Sequence, residues 1–357
     1  MATLDRVLGP PAPGLDVGRR RLTTVGAPVG AVVLALLLGA GLMLIAGGNP
    51  FSAYRALING AFGNSLAIGE VLAQATPLVI IGLGLALAFR GGVWNIGAEG
   101  QLFVGALTGG AVAIELPVKS GALLIAAALI AGIVGGAVWG LIVGVLRARW
   151  SVNEVITSLL LNYVAILLFQ WAARRPLRDP AATNGIDGKS VPQASLLPNL
   201  PGLDVHIGVL FALVLVPIVA YFMTRTPFGF KVRMLGLNRE AARTAGVSTG
   251  RMAIRLMVIS GGLAGLAGIV QVLGVSDRLD PNLSNPTFGT GYVAIVVALI
   301  GRRNAFGVLL AGLLIATLQA GGQAMSVTES LPYSIVLAIE GVFVVFLLIA
   351  DQLARRR

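Results

Sequence analysis

The chain has 357 residues, 56% hydrophobic and only 11% charged, with a mean hydropathy of +0.89. Soluble domains carry about 25% charged residues, so this composition excludes a soluble globular protein and predicts an all-α, polytopic membrane protein; no segment alternates as a membrane barrel must. The net charge of +11 does not mark a nucleic-acid binder, because the basic residues fall where topology needs them. With no Cys and a single His, His206, the sequence excludes disulfides, Cys-based metal sites and His-rich metal sites. No cofactor is expected.

Residues 1–24 are rich in Pro, Gly and Arg and read as a disordered cytoplasmic arm. A spanning helix needs about 20 apolar residues. The apolar runs predict ten spans, near 25–46, 66–89, 97–115, 121–146, 152–172, 206–224, 252–275, 288–301, 305–321 and 332–350, which make residues 25–350 one membrane domain. Residues 351–357 form a short cytoplasmic tail. With the N-terminus inside, nineteen of the 26 Lys and Arg fall in inside segments and seven outside. The positive-inside rule thus supports ten spans with both termini cytoplasmic. The longest outside segment, 173–205, is Pro-rich and carries Asp179, Asp187 and Asp204; the longest inside segment, 225–251, is basic.

Between spans 2 and 3 stands Phe89-Arg90-Gly91-Gly92-Val93-Trp94-Asn95-Ile96-Gly97-Ala98-Glu99-Gly100-Gln101. Lipid cannot satisfy such a backbone, so the segment is buried in protein or lines a wet cavity, as in the broken helices of transporters. Asn95 is placed to cap the following helix. Glu99, one turn in, reads either as a functional group or as a brace on neighbouring spans. A second break precedes Phe288-Gly289-Thr290-Gly291-Tyr292, so spans 2–5 and 7–10 read as inverted repeats whose breaks face one midplane site. Trp94, Asn95, Glu99, Gln101, Asn162, Tyr163, Phe288 and Tyr292 are the candidate path residues.

Gly132, Gly136, Gly140 and Gly144 recur every four residues in span 4, and Gly261 and Gly265 follow suit in span 7. Small residues at that spacing predict close helix packing. In the stretch Asn153-Glu154-Val155-Ile156, Ser151 or Asn153 is a natural N-cap and Glu154 suits the first turn. Glu240 to Arg243 reads as a short inside helix stopped at Gly246. Gly246-Val247-Ser248-Thr249-Gly250 has the letters of a nucleophile elbow but lacks its strand–turn–helix context. No P-loop is present, so the chain does not bind ATP through one. His206 reads as a loop residue near a membrane interface.

The wording GGVWNIGAEGQ, the stretch Asn153-Glu154-Val155-Ile156 with Leu161-Asn162-Tyr163, and the segment Gly229 to Gly246 resemble ABC importer permeases of the simple-sugar and nucleoside type, nearer the nucleoside branch. The resemblance implies a multi-pass permease subunit in a bacterial inner membrane, not itself an enzyme. Its implied partners are a separate ATPase, a second and usually different permease, and an extracytoplasmic binding lipoprotein, with lipid around it and no nucleic acid. It also implies that Arg239, Glu240, Ala241, Ala242, Arg243 and Gly246 form the segment that docks on the ATPase. A ribose-type sugar permease is the alternative. An ion-coupled secondary transporter is the more distant one, since it needs intramembrane charges to hold its ion and Glu99, Glu154 and Glu340 are not paired by sequence.

Overall fold

A computed structural model describes residues 30, 32–181, 188–281 and 289–355. Among them the chain is helical, with a few isolated bridges between extended segments. The helices are α1 (Val32–Ile45), α2 (Pro50–Phe62), α3 (Ser65–Arg90), α4 (Ala98–Glu115), α5 (Gly121–Trp150), α6 (Glu154–Arg174), α7 (Gly208–Arg225), α8 (Pro227–Leu237), α9 (Arg239–Thr244), α10 (Thr249–Gln271), α11 (Thr290–Ile300), α12 (Ala305–Thr328) and α13 (Tyr333–Arg355).

Six described helices, α3, α5, α6, α7, α12 and α10 with its extension to Ser276, are long and apolar enough to cross a membrane, and a seventh span results if the bent pair α1–α2 is one. The chain is thus a multi-pass membrane protein. The other expected spans are present as helices of a different kind. α4 carries Glu99, Gln101 and Glu115; α11 has 11 residues; α13 is apolar only over Tyr333–Phe346. At 1.5 Å per residue α11 is about 16 Å long, half of a bilayer's hydrocarbon core.

Two compact units divide the chain, Ile58–Gly321 and the pair Met1–Leu57 with Gly322–Arg357. In the second, Met43, Ala53, Met325, Leu331, Val336 and Ile339 form the core. Ser52 Oγ donates to Glu329 Oε2 at 2.7 Å there. α2 departs from the sequence reading, which leaves 47–65 as a loop. The chain turns by 115° between α1 and α2 at Gly47, whose φ is +80°. Pro50 then opens α2, where its missing N–H costs nothing.

In Ile58–Gly321, α3 and α10 are the central helices, 83% buried over their apolar windows, while α5 and α6 are only 28% buried. α10 packs on α3, α4 and α5. The α5 contact is made through glycine. A side chain at Gly136 would overlap the Gly261 carbonyl, one at Gly265 the Gly132 carbonyl, and one at Gly140 the Met257 carbonyl. This is the close approach that the glycine spacing predicts. α10 ends in a π-helical segment, Val272–Ser276. The segment expected outside is laced to it: Leu197 N–H donates to Leu273 O and Val191 N–H to Asp277 O, each at 2.8 Å. Asp187 lies outside the described residues.

Candidate functional site

α3 stops because Gly92 takes φ +67°, which lets Val93 N–H return to the Ala88 carbonyl at 3.0 Å. The chain then runs irregularly to Gly97, the N-cap of α4. Asn95 is wholly buried here. Its Nδ2 donates to Gln101 Oε1 (2.8 Å) and Ser260 Oγ (2.9 Å); its Oδ1 accepts from Gly97 N–H (2.9 Å) and Gln101 Nε2 (3.2 Å). An amide side chain has two donor protons and two acceptor lone pairs, and all four are used.

Asn95 therefore does not cap α4 as the sequence suggests. The cap comes from α6: Asn162 Oδ1 accepts from Gly100 N–H at 2.9 Å, and Ser158 Oγ accepts from Ile96 N–H at 3.2 Å. Asn162 Nδ2 donates to the Ile96 carbonyl (2.9 Å) and to Tyr292 Oη (3.1 Å). Ser158 and Ser260 are members of this cluster that the sequence reading does not single out. Nothing local marks them, since their partners lie 62 and 165 residues away.

Glu99 is also wholly buried. Its carboxylate accepts from Gly289 N–H (2.5 Å) and Gly291 N–H (2.6 Å). It thus stands in the first turn of α4 while capping the start of α11, an anion between two helix N-termini, where orphan N–H groups and the helix dipole both favour negative charge. These contacts tie the starts of α4 and α11 together. Phe288 lies outside the described residues. The aromatic candidates sit differently from the amides: Trp94 is 44% exposed and Tyr163 61%. The Trp94 ring lies 4.9 Å from Phe89, and Tyr292 is half-buried. So the structure brings Asn95, Glu99, Gln101, Asn162 and Tyr292 into one polar assembly at the two breaks, with Trp94 and Tyr163 outside it.

A second polar recess borders α11. Glu70, Gln74, Gln271, Thr290 and Gln319 line about 40 Å³ beside Pro77 of α3. At about 10–15 Å³ per water centre this holds a few waters. Gln74 Oε1 is buried with no hydrogen-bond partner. The sequence offered one signal for this recess, polar side chains within apolar runs (Glu70 and Gln74 four residues apart, then Gln271 and Gln319), but not their convergence.

The basic inside segment folds as α8 and α9. Asn238 caps α9 through its Oδ1, which accepts from Ala241 N–H at 3.0 Å. Gly246, at φ +80°, ends it. Arg239, Glu240, Ala241 and Arg243 are exposed, and Ala242 is buried. This segment touches the first break. A side chain at Gly236 would overlap the Arg90 carbonyl, and Arg239 lines one recess with Gly91, Gly92 and Arg147. Arg147, in turn, pairs with Glu154 and donates to the Gly92 carbonyl at 3.4 Å. Asn153 is the N-cap of α6, as its position predicts. His206 lies in the segment before α7, bridged to Asn199, where it is 3% exposed and neither ring nitrogen has a partner. Burial holds its pKa below the ordinary value.

Residues 67–350 match the family model described as the branched-chain amino acid transport system / permease component. The chain belongs to this family. The permease is 36% identical to a glucose ABC transporter permease protein of Haloferax volcanii, over 93% of this chain and 89% of that one. It is 33% identical to a guanosine ABC transporter permease protein of Bacillus subtilis, over 92% and 94%. It is 32% identical to a nucleoside ABC transporter permease protein of Lactococcus lactis, over 90% and 89%. No solved structure matches the permease.

Proposed function

We propose that the permease forms the membrane path for a nucleoside in a bacterial ABC importer. The observation that carries the substrate class is the end-to-end similarity to guanosine and nucleoside permease proteins. The chemistry suits it, because Trp94 and Tyr163 present exposed rings that can stack on a base, and the amides of the polar assembly match ribose hydroxyls. In this conformation Asn95 and Gln101 bond each other. Their part is to hold the break in shape until α4 and α11 separate. A sugar is the second reading, favoured by the glucose relative.

In this proposal the chain crosses the inner membrane ten times with both termini cytoplasmic, and spans 2–5 and 7–10 are inverted repeats. Two short helices that begin at breaks, α4 and α11, joined by Glu99, support that reading. ATP is hydrolysed on a partner ATPase that docks on Arg239 to Gly246. Movement there reaches the first break directly, through Gly236 against Arg90 and Arg239 beside Gly92. An extracytoplasmic binding lipoprotein delivers solute to residues 173–205, and a second, different permease completes the path. The test is uptake of labelled guanosine and labelled glucose by cells expressing the permease with its partner subunits. Guanosine uptake that vanishes when the ATPase is inactivated supports the proposal; uptake of glucose alone replaces it with the sugar reading.

A further inference from the structure

On the face that carries α8 and α9, Lys231, Gly246, Val247, Ser248, Arg251, Met252 and Arg255 surround a cavity of about 210 Å³. Its three charged groups are all cations. None of them has a hydrogen-bond or ion-pair partner among the described residues, and no carboxylate lines the cavity. Arg251 and Arg255 stand one turn apart on α10, a spacing at which like charges repel. Ser248 is the N-cap of α10 but its hydroxyl makes no capping bond. The first N–H groups of a 23-residue helix therefore open toward the same space. The cavity thus combines an unbalanced charge of three cations, an open helix N-terminus and a volume many times that of a water molecule.

We propose that this cavity is a phosphate-binding site, occupied by the headgroup of an anionic phospholipid or by a free phosphate. Arg and Lys forks and helix N-termini both suit phosphate oxygens. The position favours contact with lipid. Arg251 and Arg255 occupy the first two turns of the candidate span that begins at Thr249, and Phe230, next to Lys231, is 56% exposed. Basic pockets between helices at the cytoplasmic surface hold anionic headgroups in this way. The cytoplasmic placement rests on the topology proposed above; the presence of a phosphate site does not.

The test compares the full-length permease, purified with its partner subunits, with the triple variant Lys231→Gln, Arg251→Gln, Arg255→Gln and with the charge-keeping variant Arg251→Lys, Arg255→Lys. Inorganic phosphate is titrated by calorimetry in neutral detergent. Retained phosphatidylglycerol is counted by native mass spectrometry after extraction from nanodiscs made with and without that lipid. An unchanged thermal midpoint in detergent shows that each variant is folded; if the triple variant does not fold, Arg251→Gln alone is read instead. Each basic group near an anionic surface contributes roughly five-fold, so the triple variant should bind about 100-fold more weakly, and the charge-keeping variant should retain most of the binding. Phosphate that binds and displaces the lipid identifies a shared site open to either source; lipid retention that phosphate does not displace identifies the lipid. Equal binding of both probes to wild type and triple variant overturns the site. So does a triple variant that loses the ATPase subunit while binding phosphate and lipid unchanged, because the cavity is then filled by an acidic protein surface. Neither readout uses transport, so a failed uptake assay leaves this result standing, and the reverse.

Discussion

Glu99 is the residue on which the two breaks converge. Each carboxylate oxygen takes one N–H of the α11 start, and no cation is needed because two helix N-termini supply the positive end. Replacing Glu99 by Gln keeps one acceptor and turns an NH₂ group toward an N–H that it cannot satisfy. Loss of one hydrogen bond to a charged group, with its partner left buried, costs roughly 1.5–3 kcal/mol. The free energy of unfolding in detergent should fall by that amount, with a lower thermal midpoint, and transport should fall with it; a variant as stable and as active as wild type would show that the latch does not hold α11. His206 gives a second prediction. Its folded-state pKa lies below the ordinary value, so below about pH 6.5 the unfolded chain takes up a proton that the folded chain resists. Stability is therefore full at neutral pH and falls as pH drops through that region. Replacement by Leu keeps an apolar side chain in the pocket and removes the proton site. The thermal midpoint of the wild type should fall more between neutral pH and pH 5 than that of His206→Leu; equal losses would clear His206.

At the scale of elements, some of the architecture was legible and some was not, for definite reasons. The glycine stripes of α5 and α10 were legible because small residues at a period of four have one use in a membrane helix, and the two stripes do pack on each other. Asn153 was legible because capping is local. The cap of α4 was not, because Asn162 reaches Gly100 from another helix, and sequence carries no mark of a donor–acceptor match across 62 residues. α2 carried a signal that went unused, the Gly47-Gly48-Asn49-Pro50 run of a helix stop followed by a helix start. Of the site, the residue types and both breaks were legible; the inward pairing of Asn95 with Gln101, which makes them braces in this conformation, was not. α8 and α9 supply the element-scale prediction. Arg239 and Arg243 are exposed, and Arg239 shares a recess with the first break, so an ATPase surface that meets them can act on the break. Charge reversal, Arg239→Glu with Arg243→Glu, should leave the permease folded in the membrane while ATP hydrolysis no longer drives uptake. Normal uptake by that variant would remove these residues from the coupling surface.

At the scale of the whole molecule, the question is which segments face which compartment. Lys and Arg are spread unevenly, nineteen against seven under the orientation with an inside N-terminus, and a bilayer enforces that bias through short loops. The structure adds an independent constraint within Ile58–Gly321. Residues 189–207 are tied to the end of α10, through Val191 to Asp277, Leu197 to Leu273, and a bridge between Ser190 and Arg278. α8 and α9 precede the start of that same helix. α10 with its extension to Ser276 has 28 residues, about 42 Å at 1.5 Å per residue, long enough to separate the two by a full bilayer. If α10 crosses the membrane, the acidic-containing segment and the basic segment lie on opposite sides, and the topology proposed above puts the basic one in the cytoplasm. The native chain has no Cys, so single replacements give unambiguous labels. Ser190→Cys should react with a membrane-impermeant maleimide added to intact spheroplasts, and Thr244→Cys should react only after the membrane is opened. If the two swap, the orientation is inverted; if both react from one side, α10 does not cross the membrane, and the ten-span topology falls with it.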